Sequence, residues 1–92
     1  MTRKQIIKLV TAEVRRAKRL HPGWPKGSFF LSNANARVIE AAVVAEEAFE
    51  ALQVALNMRP EDPHHRTTTV KDYKKELVQN AAMCFRALEV ME

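Results

Sequence analysis

The stretch that decides the fold spans residues 41–52 and reads Ala41-Ala42-Val43-Val44-Ala45-Glu46-Glu47-Ala48-Phe49-Glu50-Ala51-Leu52. Its length and its lack of Gly and Pro predict a helix that is apolar enough to be buried. Glu47 and Glu50 lie one helical turn apart in it. Burying a carboxylate costs free energy unless something offsets the lost hydration, and a bound divalent cation is a common offset for several carboxylates together. This stretch is therefore where we look for function.

The whole chain of 92 residues is predicted to form a single domain, residues 1–92, of the all-α class. Hydrophobic residues make up 47% of the chain, there are only two glycines, and no stretch alternates apolar and polar residues as a half-buried strand would. We expect an antiparallel bundle of three main helices, with room for one further short helix. Because so small a domain leaves much apolar surface uncovered, we also expect a homo-dimer or homo-tetramer.

Proline, glycine and capping residues divide the chain into three helices. The first is predicted from about Thr2 to Leu20 and ends at the Pro- and Gly-rich residues 21–27. The second is expected to begin at Ser32 or Asn33 and to end near Met58; because it is apolar nearly all round, it is predicted to be the central helix of the bundle. The third follows residues 69–72, which resemble a capping box, and is predicted to reach the C-terminus.

The first quarter of the chain carries most of the positive charge. Residues 1–27 hold eight Lys or Arg against one acidic residue, whereas the remainder has a net charge of −3. This asymmetry suits an anionic ligand such as a polyphosphate, a nucleic acid or an acidic neighbour, and a solvated helix face is the alternative. Nucleic acid is the less favoured ligand, because the first helix has no groove-reading motif and no aromatic residue.

Cysteine usage and hydropathy indicate a cytoplasmic protein. Cys84 is the single cysteine and lies in an apolar run, which is typical of a buried thiol in a reducing compartment. The N-terminus lacks the apolar region of a signal peptide, and no segment is long and apolar enough to predict a membrane span.

Two stripes of oxygen-bearing side chains are predicted to face each other. Glu40, Glu47 and Glu50 fall within roughly 80° of one another around the second helix. The third helix carries a comparable stripe, formed by Asp72, Glu76, Gln79, Asn80 and Met83. Across antiparallel helices these oxygens would converge on a hard cation, Mg²⁺ or Mn²⁺ rather than zinc. Glu-x-x-Glu pairs are also common on helices that bind no metal.

Residues 41–50 resemble the Glu-Glu-x-x-Glu segment of the MazG-like, all-α nucleoside triphosphate pyrophosphohydrolases. Residues 75–88, Lys75-Glu76-Leu77-Val78-Gln79-Asn80-Ala81-Ala82-Met83-Cys84-Phe85-Arg86-Ala87-Leu88, resemble the second acidic helix of that family. Residues 21–25, His21-Pro22-Gly23-Trp24-Pro25, are similar to the loop before the metal-binding helix in its small phage and bacterial members. The resemblance covers most of the chain and implies Mg²⁺-dependent hydrolysis of a nucleoside triphosphate, ribo or deoxy, to the monophosphate and pyrophosphate.

The family pattern is Glu-Glu-x-x-Glu followed by Glu-x-x-Asp. Carried over by position, it makes Glu47 and Glu50 the first pair of metal ligands, Glu46 the additional glutamate and Glu76 the first residue of the second pair. Gln79 stands where the family has Asp, which removes one negative charge from the expected ligand set. Asp72 and Asn80 are candidates for a compensating ligand. A second departure is Phe49, which replaces a small residue.

The remaining roles follow from the chemistry that the resemblance implies. Phosphoryl transfer requires positioning and charge neutralisation more than covalent catalysis. A glutamate that is not a metal ligand, Glu46 or Glu47, is the candidate to orient or deprotonate the attacking water. Trp24 and His21 are candidates to contact the base, although Trp24 is also explained as a hydrophobic plug between helix ends. The candidate phosphate contacts are Lys26, Lys74, Lys75 and Arg86. The alternative function is a catalytically impaired relative that binds a nucleotide or a protein partner.

Overall fold

The computed structural model describes residues 1–24 and 33–89, with only the backbone of Asn33. In these residues the protein is all-helical: α1 spans Arg3–Leu20, α2 spans Asn33–Asn57 and α3 spans Val70–Glu89. The three predicted helices are confirmed, and their starts, together with the ends of α1 and α2, lie within about one residue of the expected positions. The predicted end of the third helix at the C-terminus lies outside the described residues. Ser32, Lys26 and residues 90–92 lie outside the described part of the chain.

Two capping boxes begin α1 and α3. At α1 the Thr2 hydroxyl accepts a hydrogen bond from the Gln5 backbone N–H at 3.2 Å, and the Gln5 side chain accepts one from the Thr2 N–H at 2.8 Å. At α3 the Asp72 carboxylate accepts from the Thr69 N–H at 2.7 Å, as the sequence predicts. Each box provides partners for backbone groups that a helix end leaves unpaired.

The hydrophobic core lies between α1 and α3. Val10 and Val14 of α1 pack against Ala82 of α3, which is completely enclosed because its methyl group lets the two helices approach closely. Among the described residues α3 packs against both other helices, and α1 and α2 do not pack against each other. The prediction that α2 is the central helix is therefore wrong. A helix that is apolar nearly all round is central only if neighbours cover both faces, and of the described helices only α3 packs against α2.

The helix directions follow from contacts near the ends. Lys18 Nζ donates a hydrogen bond to Glu89 Oε2 at 2.7 Å, so α1 and α3 have their C-terminal ends together and run in parallel. In contrast, Asn57 at the end of α2 shares a cleft with Asp72 at the start of α3. Thus α2 runs antiparallel to α3, and the two predicted acidic stripes are on neighbouring helices.

One face of α2 remains open to solvent. Val38, Phe49 and Leu52 are 67%, 63% and 53% exposed, although they are among the most apolar residues of the chain. None of the described helices combines the length and the apolar character that crossing a bilayer requires.

Candidate metal centre

Three glutamates from two helices meet between α2 and α3. Glu47 and Glu50 extend from successive turns of α2, and Glu76 extends from α3 opposite them. One carboxylate oxygen from each lies within 4.8 Å of the others. This is the convergence that the two acidic stripes predict, and it arises because α2 and α3 pack side by side in opposite directions.

The cluster is short of hydrogen-bond donors. Oε2 of Glu47 and Oε2 of Glu76 are buried and have no hydrogen-bond partner among the residues that the structure describes. Burial raises the pKa of the Glu47 carboxyl, and the nearby charges of Glu50 and Glu76 raise it further. Burial also raises the pKa of Glu76, with Glu50 adding to the effect and the Lys75 ammonium opposing it. Desolvation and mutual repulsion both disfavour the charged forms, and a bound cation would relieve both.

Further acidic groups surround the cluster. Glu46 precedes Glu47 on α2 and is exposed, and its charge contributes to the raised pKa of Glu47. Glu13 of α1 adds to the same raised pKa, although it is hydrogen-bonded to Arg16 at 2.6 Å. Sequence reasoning did not assign Glu13 to the site. The sequence does contain a feature that points to it, because Glu13 is an acidic residue on the otherwise apolar face of α1.

The amide oxygen of Asn80 on α3 resembles the carboxylate oxygens of Glu47 and Glu76 in its burial. Asn80 Oδ1 is buried, and no described residue forms a hydrogen bond with it. Because residues four positions apart in a helix lie on one face, Asn80 lies one turn beyond Glu76 on the same side of α3. Gln79 is also half-buried. Of the two amides that could supply a further oxygen ligand, Asn80 is the one whose oxygen is buried without a hydrogen-bond partner among the described residues.

Two predicted members of the acidic stripes have other partners. Asp72 caps α3, and its Oδ2 accepts hydrogen bonds from both the N–H and the hydroxyl of Thr69. These bonds lower the pKa of Asp72, the opposite of what happens at Glu47 and Glu76. Glu40 is buried in an ion pair with Arg37, whose guanidinium donates to both carboxylate oxygens at 2.7 and 2.6 Å.

A cleft of about 280 Å³ opens beside the cluster. Its lining comes from α2, α3 and the turn after α1, and comprises His21, Trp24, Val43, Glu47, Met83 and Arg86. The structure thus brings both predicted base contacts, one predicted phosphate contact and one predicted metal ligand to a single cavity. Trp24 and Arg86 are in direct contact, with the guanidinium carbon 5.2 Å from the centre of the indole ring.

Arg86 is the most informative residue of this cleft. It is only 2% exposed, and its Nη2 donates to the backbone oxygen of His21 at 2.7 Å and to that of Trp24. These bonds hold the turn after α1 against α3. Its Nε and Nη1, and Nε1 of Trp24, are buried and have no hydrogen-bond partner within the described ranges. Burial lowers the pKa of Arg86, and the Glu89 carboxylate opposes this effect.

The other basic candidates are distributed differently. Lys75 lines a second cleft, of about 320 Å³, together with Asp72 and Glu76. Lys74 lies on the opposite side of α3, in an apolar groove of about 190 Å³ beside Ile6 of α1 and Leu77 of α3. Lys26 lies outside the described residues. The glutamate cluster therefore stands between two clefts, one with Arg86 and one with Lys75, while Lys74 belongs to neither.

Phe49 does not obstruct the cluster. On the helical wheel it lies about 160° from Glu47, on the exposed face of α2. Comparison with known proteins adds no assignment, because no protein-family model, curated protein or solved structure matches this chain.

Proposed function

We propose that this protein is a Mg²⁺-dependent nucleoside triphosphate pyrophosphohydrolase that converts a (d)NTP and water to the (d)NMP and pyrophosphate. The observation that supports it best is the meeting of Glu47, Glu50 and Glu76 with two buried oxygens that lack partners. The resemblance of residues 41–50 and 75–88 to the MazG-like enzymes is the second support. Cys84 is a free, half-buried thiol, which agrees with the cytoplasmic setting that we propose.

The residues present fit a hard cation. Glu47, Glu50 and Glu76 would hold it, with Asn80 or Gln79 as the further oxygen ligand, because Mg²⁺ and Mn²⁺ prefer carboxylate and amide oxygens. When bound, such an ion neutralises charge that develops on phosphate oxygens. The raised pKa of Glu47 and of Glu76 is the expected property of ligands whose natural partner is a cation.

The neighbouring residues would bind and orient the substrate. The unpartnered donors of Arg86 and Trp24 favour groups that accept hydrogen bonds, such as phosphate oxygens or base carbonyls. The Trp24 ring offers a face on which a base can stack. Glu46 is exposed at the edge of the cluster, and either it or Glu47 is proposed to accept a proton from the attacking water.

The direct test is an assay of pyrophosphate release from each common ribo- and deoxyribonucleoside triphosphate in the presence of Mg²⁺. We expect release with at least one substrate and none when the metal is chelated. A folded protein that releases no pyrophosphate from any of them would exclude the enzymatic proposal.

A second candidate function is a nucleotide-binding or protein-binding module that has lost efficient catalysis. Gln79 favours it, because a neutral amide replaces the expected carboxylate. Calorimetric titration with Mg²⁺, with and without a non-hydrolysable triphosphate, separates the two functions. The enzyme requires nucleotide binding that is strengthened by Mg²⁺, whereas the module predicts binding that does not depend on the metal. A homo-dimer or homo-tetramer belongs to both proposals.

A further inference from the structure

Six residues of α2 form a continuous apolar surface that faces solvent. We call this surface the outer stripe, and it consists of Val38, Ala42, Ala45, Phe49, Leu52 and Leu56, all of them exposed. Their spacing alternates between four and three residues, which is the heptad spacing of helices that pack lengthwise against another helix. At a rise of 1.5 Å per residue the outer stripe is about 27 Å long.

The outer stripe cannot be covered by α3. On the helical wheel it lies within about 40° of one direction, whereas Glu47, Ala51 and Val54, which face α3, lie about 180° away. Contiguous exposed apolar surface on this scale is uncommon on a soluble monomer and marks an interaction surface.

The side chains of the outer stripe change size along it. The N-terminal half carries Val38 and two alanines, and the C-terminal half carries Phe49 and two leucines. If two such helices packed in parallel, small residues would face small ones and leave voids, and Phe49 would face Phe49. If they packed antiparallel about an axis near residue 47, every small residue would face a large one. Interfaces of native density require the second arrangement.

The antiparallel register gives three kinds of pair. Ala45 would face Phe49 of the second copy, Ala42 would face its Leu52, and Val38 would face its Leu56. Each pair also joins an a position to a d position of the heptad. A surface that complements itself after a two-fold rotation is what a symmetric dimer requires.

We propose that the outer stripe is the surface on which two copies of this chain pair, with α2 antiparallel to α2 of the second copy. This goes beyond the proposed function, because it depends on the apolar face of α2 and not on the glutamates opposite it. It also gives Phe49 a role, since Phe49 is the largest side chain of the interface and fills the space over Ala45 of the second copy.

Sedimentation of the full chain tests the pairing. We expect the wild-type protein to be dimeric at micromolar concentration, and Phe49→Asp or Leu52→Asp to weaken association by about a hundredfold or more while the helical circular dichroism is retained. Ala12→Asp, at an exposed position of α1, is the matched control and should leave the dimer intact. A wild-type protein that stays monomeric, or a dimer that survives both stripe substitutions, would overturn the proposal.

A size exchange tests the orientation. Ala45→Phe and Phe49→Ala should each weaken the dimer, and the double variant should restore it, because a large side chain at position 45 would then face a small one at position 49 of the second copy. In a Cys84→Ala background, a mixture of Ala42→Cys and Leu52→Cys chains should form mainly the mixed disulfide. Failure of the double variant to restore association, or preferential formation of the disulfide between two Ala42→Cys chains, would exclude the antiparallel arrangement.

Discussion

The two faces of α2 have the opposite character from that of an ordinary surface helix. Its inner face, against α3, holds Glu47 and Glu50 together with the ion-paired Glu40, whereas its outer face exposes Val38 and Phe49. Amphipathic helices normally bury the apolar stripe and expose the charges. This exchange of charged and apolar faces indicates that both faces of α2 need a further binding partner. Within the described part of the chain, the inner face offers no ion-pair partner to Glu47, Glu50 and Glu76, and the outer face has no apolar surface packed against it.

The largest effect, a loss of turnover, is expected from removing the charge of a single glutamate on the inner face of α2. Glu47→Gln and Glu50→Gln should each lower turnover by about three orders of magnitude, because replacing a charged ligand by a neutral amide weakens the metal site and removes several kcal/mol of charge stabilisation from the transition state. Pyrophosphate release under saturating Mg²⁺ measures this. Glu61→Gln, an exposed glutamate in the turn before α3, is the matched control and should retain full activity. Wild-type activity in either variant would mean that the cluster does not bind the catalytic metal.

Packing on the inner face gives the next effect. Ala51 is buried between α2 and α3, so Ala51→Leu should destabilise the protein by about 1–3 kcal/mol through overpacking. Urea denaturation followed by circular dichroism measures the change. Ala12→Leu, the same substitution at an exposed position of α1, should change the free energy of unfolding by less than about 0.5 kcal/mol. Equal effects of the two substitutions would show that α2 is not held against α3 at Ala51.

The identity of the further oxygen ligand can be determined by restoring the missing charge. Asn80→Asp should tighten Mg²⁺ binding by about tenfold, because its oxygen is buried without a partner and an added carboxylate strengthens a hard-cation site. Gln79→Asp tests the position where the family pattern has Asp. Calorimetric Mg²⁺ affinities of both variants rank the two positions. If both bind Mg²⁺ no more tightly than the wild type, neither amide adjoins the ion.

The Asp72 carboxylate, which is part of the cap of α3, has hydrogen-bond partners and so differs from the buried oxygens of Glu47 and Glu76. Thr69→Ala should cost about 1 kcal/mol of stability, since it removes a capping hydroxyl. It should leave Mg²⁺ affinity unchanged, because the Asp72 carboxylate serves the helix cap. Thermal unfolding and a Mg²⁺ titration of the same variant measure the two quantities. A large loss of Mg²⁺ affinity would instead assign Asp72 to the metal centre.

The smallest effect is the dependence of metal-free stability on pH. Because the folded state raises the pKa of Glu47 and Glu76, it binds more protons than the unfolded chain, and these two groups favour folding as the pH falls through their raised pKa values. Above those pKa values both carboxyls are charged in the folded state, and the cost of their burial and mutual repulsion is fully present. Glu47→Gln removes part of this cost and should stabilise the metal-free protein at pH 7 by less than about 1 kcal/mol. The gain should disappear below the ordinary carboxyl pKa.

The carboxylate of Asp72 has the opposite dependence. Its lowered pKa means that its contribution is present above the ordinary aspartate pKa and is lost as the pH falls through the lowered value. Thermal unfolding across this pH range, with wild type and Glu47→Gln compared, separates the two dependences. A Glu47→Gln variant that is clearly less stable than the wild type at pH 7 would show that Glu47 is structurally paired.

Much of the fold and part of the site could be predicted because the signals are local. Thr2 and the pair Thr69 and Asp72 mark helix starts within a few residues of chain, and helical spacing alone puts Glu47 and Glu50 on one face. The prediction that α2 is the central helix is wrong for a physical reason. Apolar residues all round α2 indicate that both of its faces can pack against other helices. Hydropathy does not distinguish a helix of the same chain from a helix of a second copy.

The amino-acid sequence by itself determined the three helices, the caps at the starts of α1 and α3, and the two acidic stripes, because these depend on interactions between residues a few positions apart. The tertiary structure decided which oxygens lack a partner among the described residues, and that Arg86 holds the turn containing Trp24 beside Glu47. It also showed that the apolar outer stripe is exposed. These properties depend on contacts between residues that are distant along the chain, and helical periodicity carries no information about them.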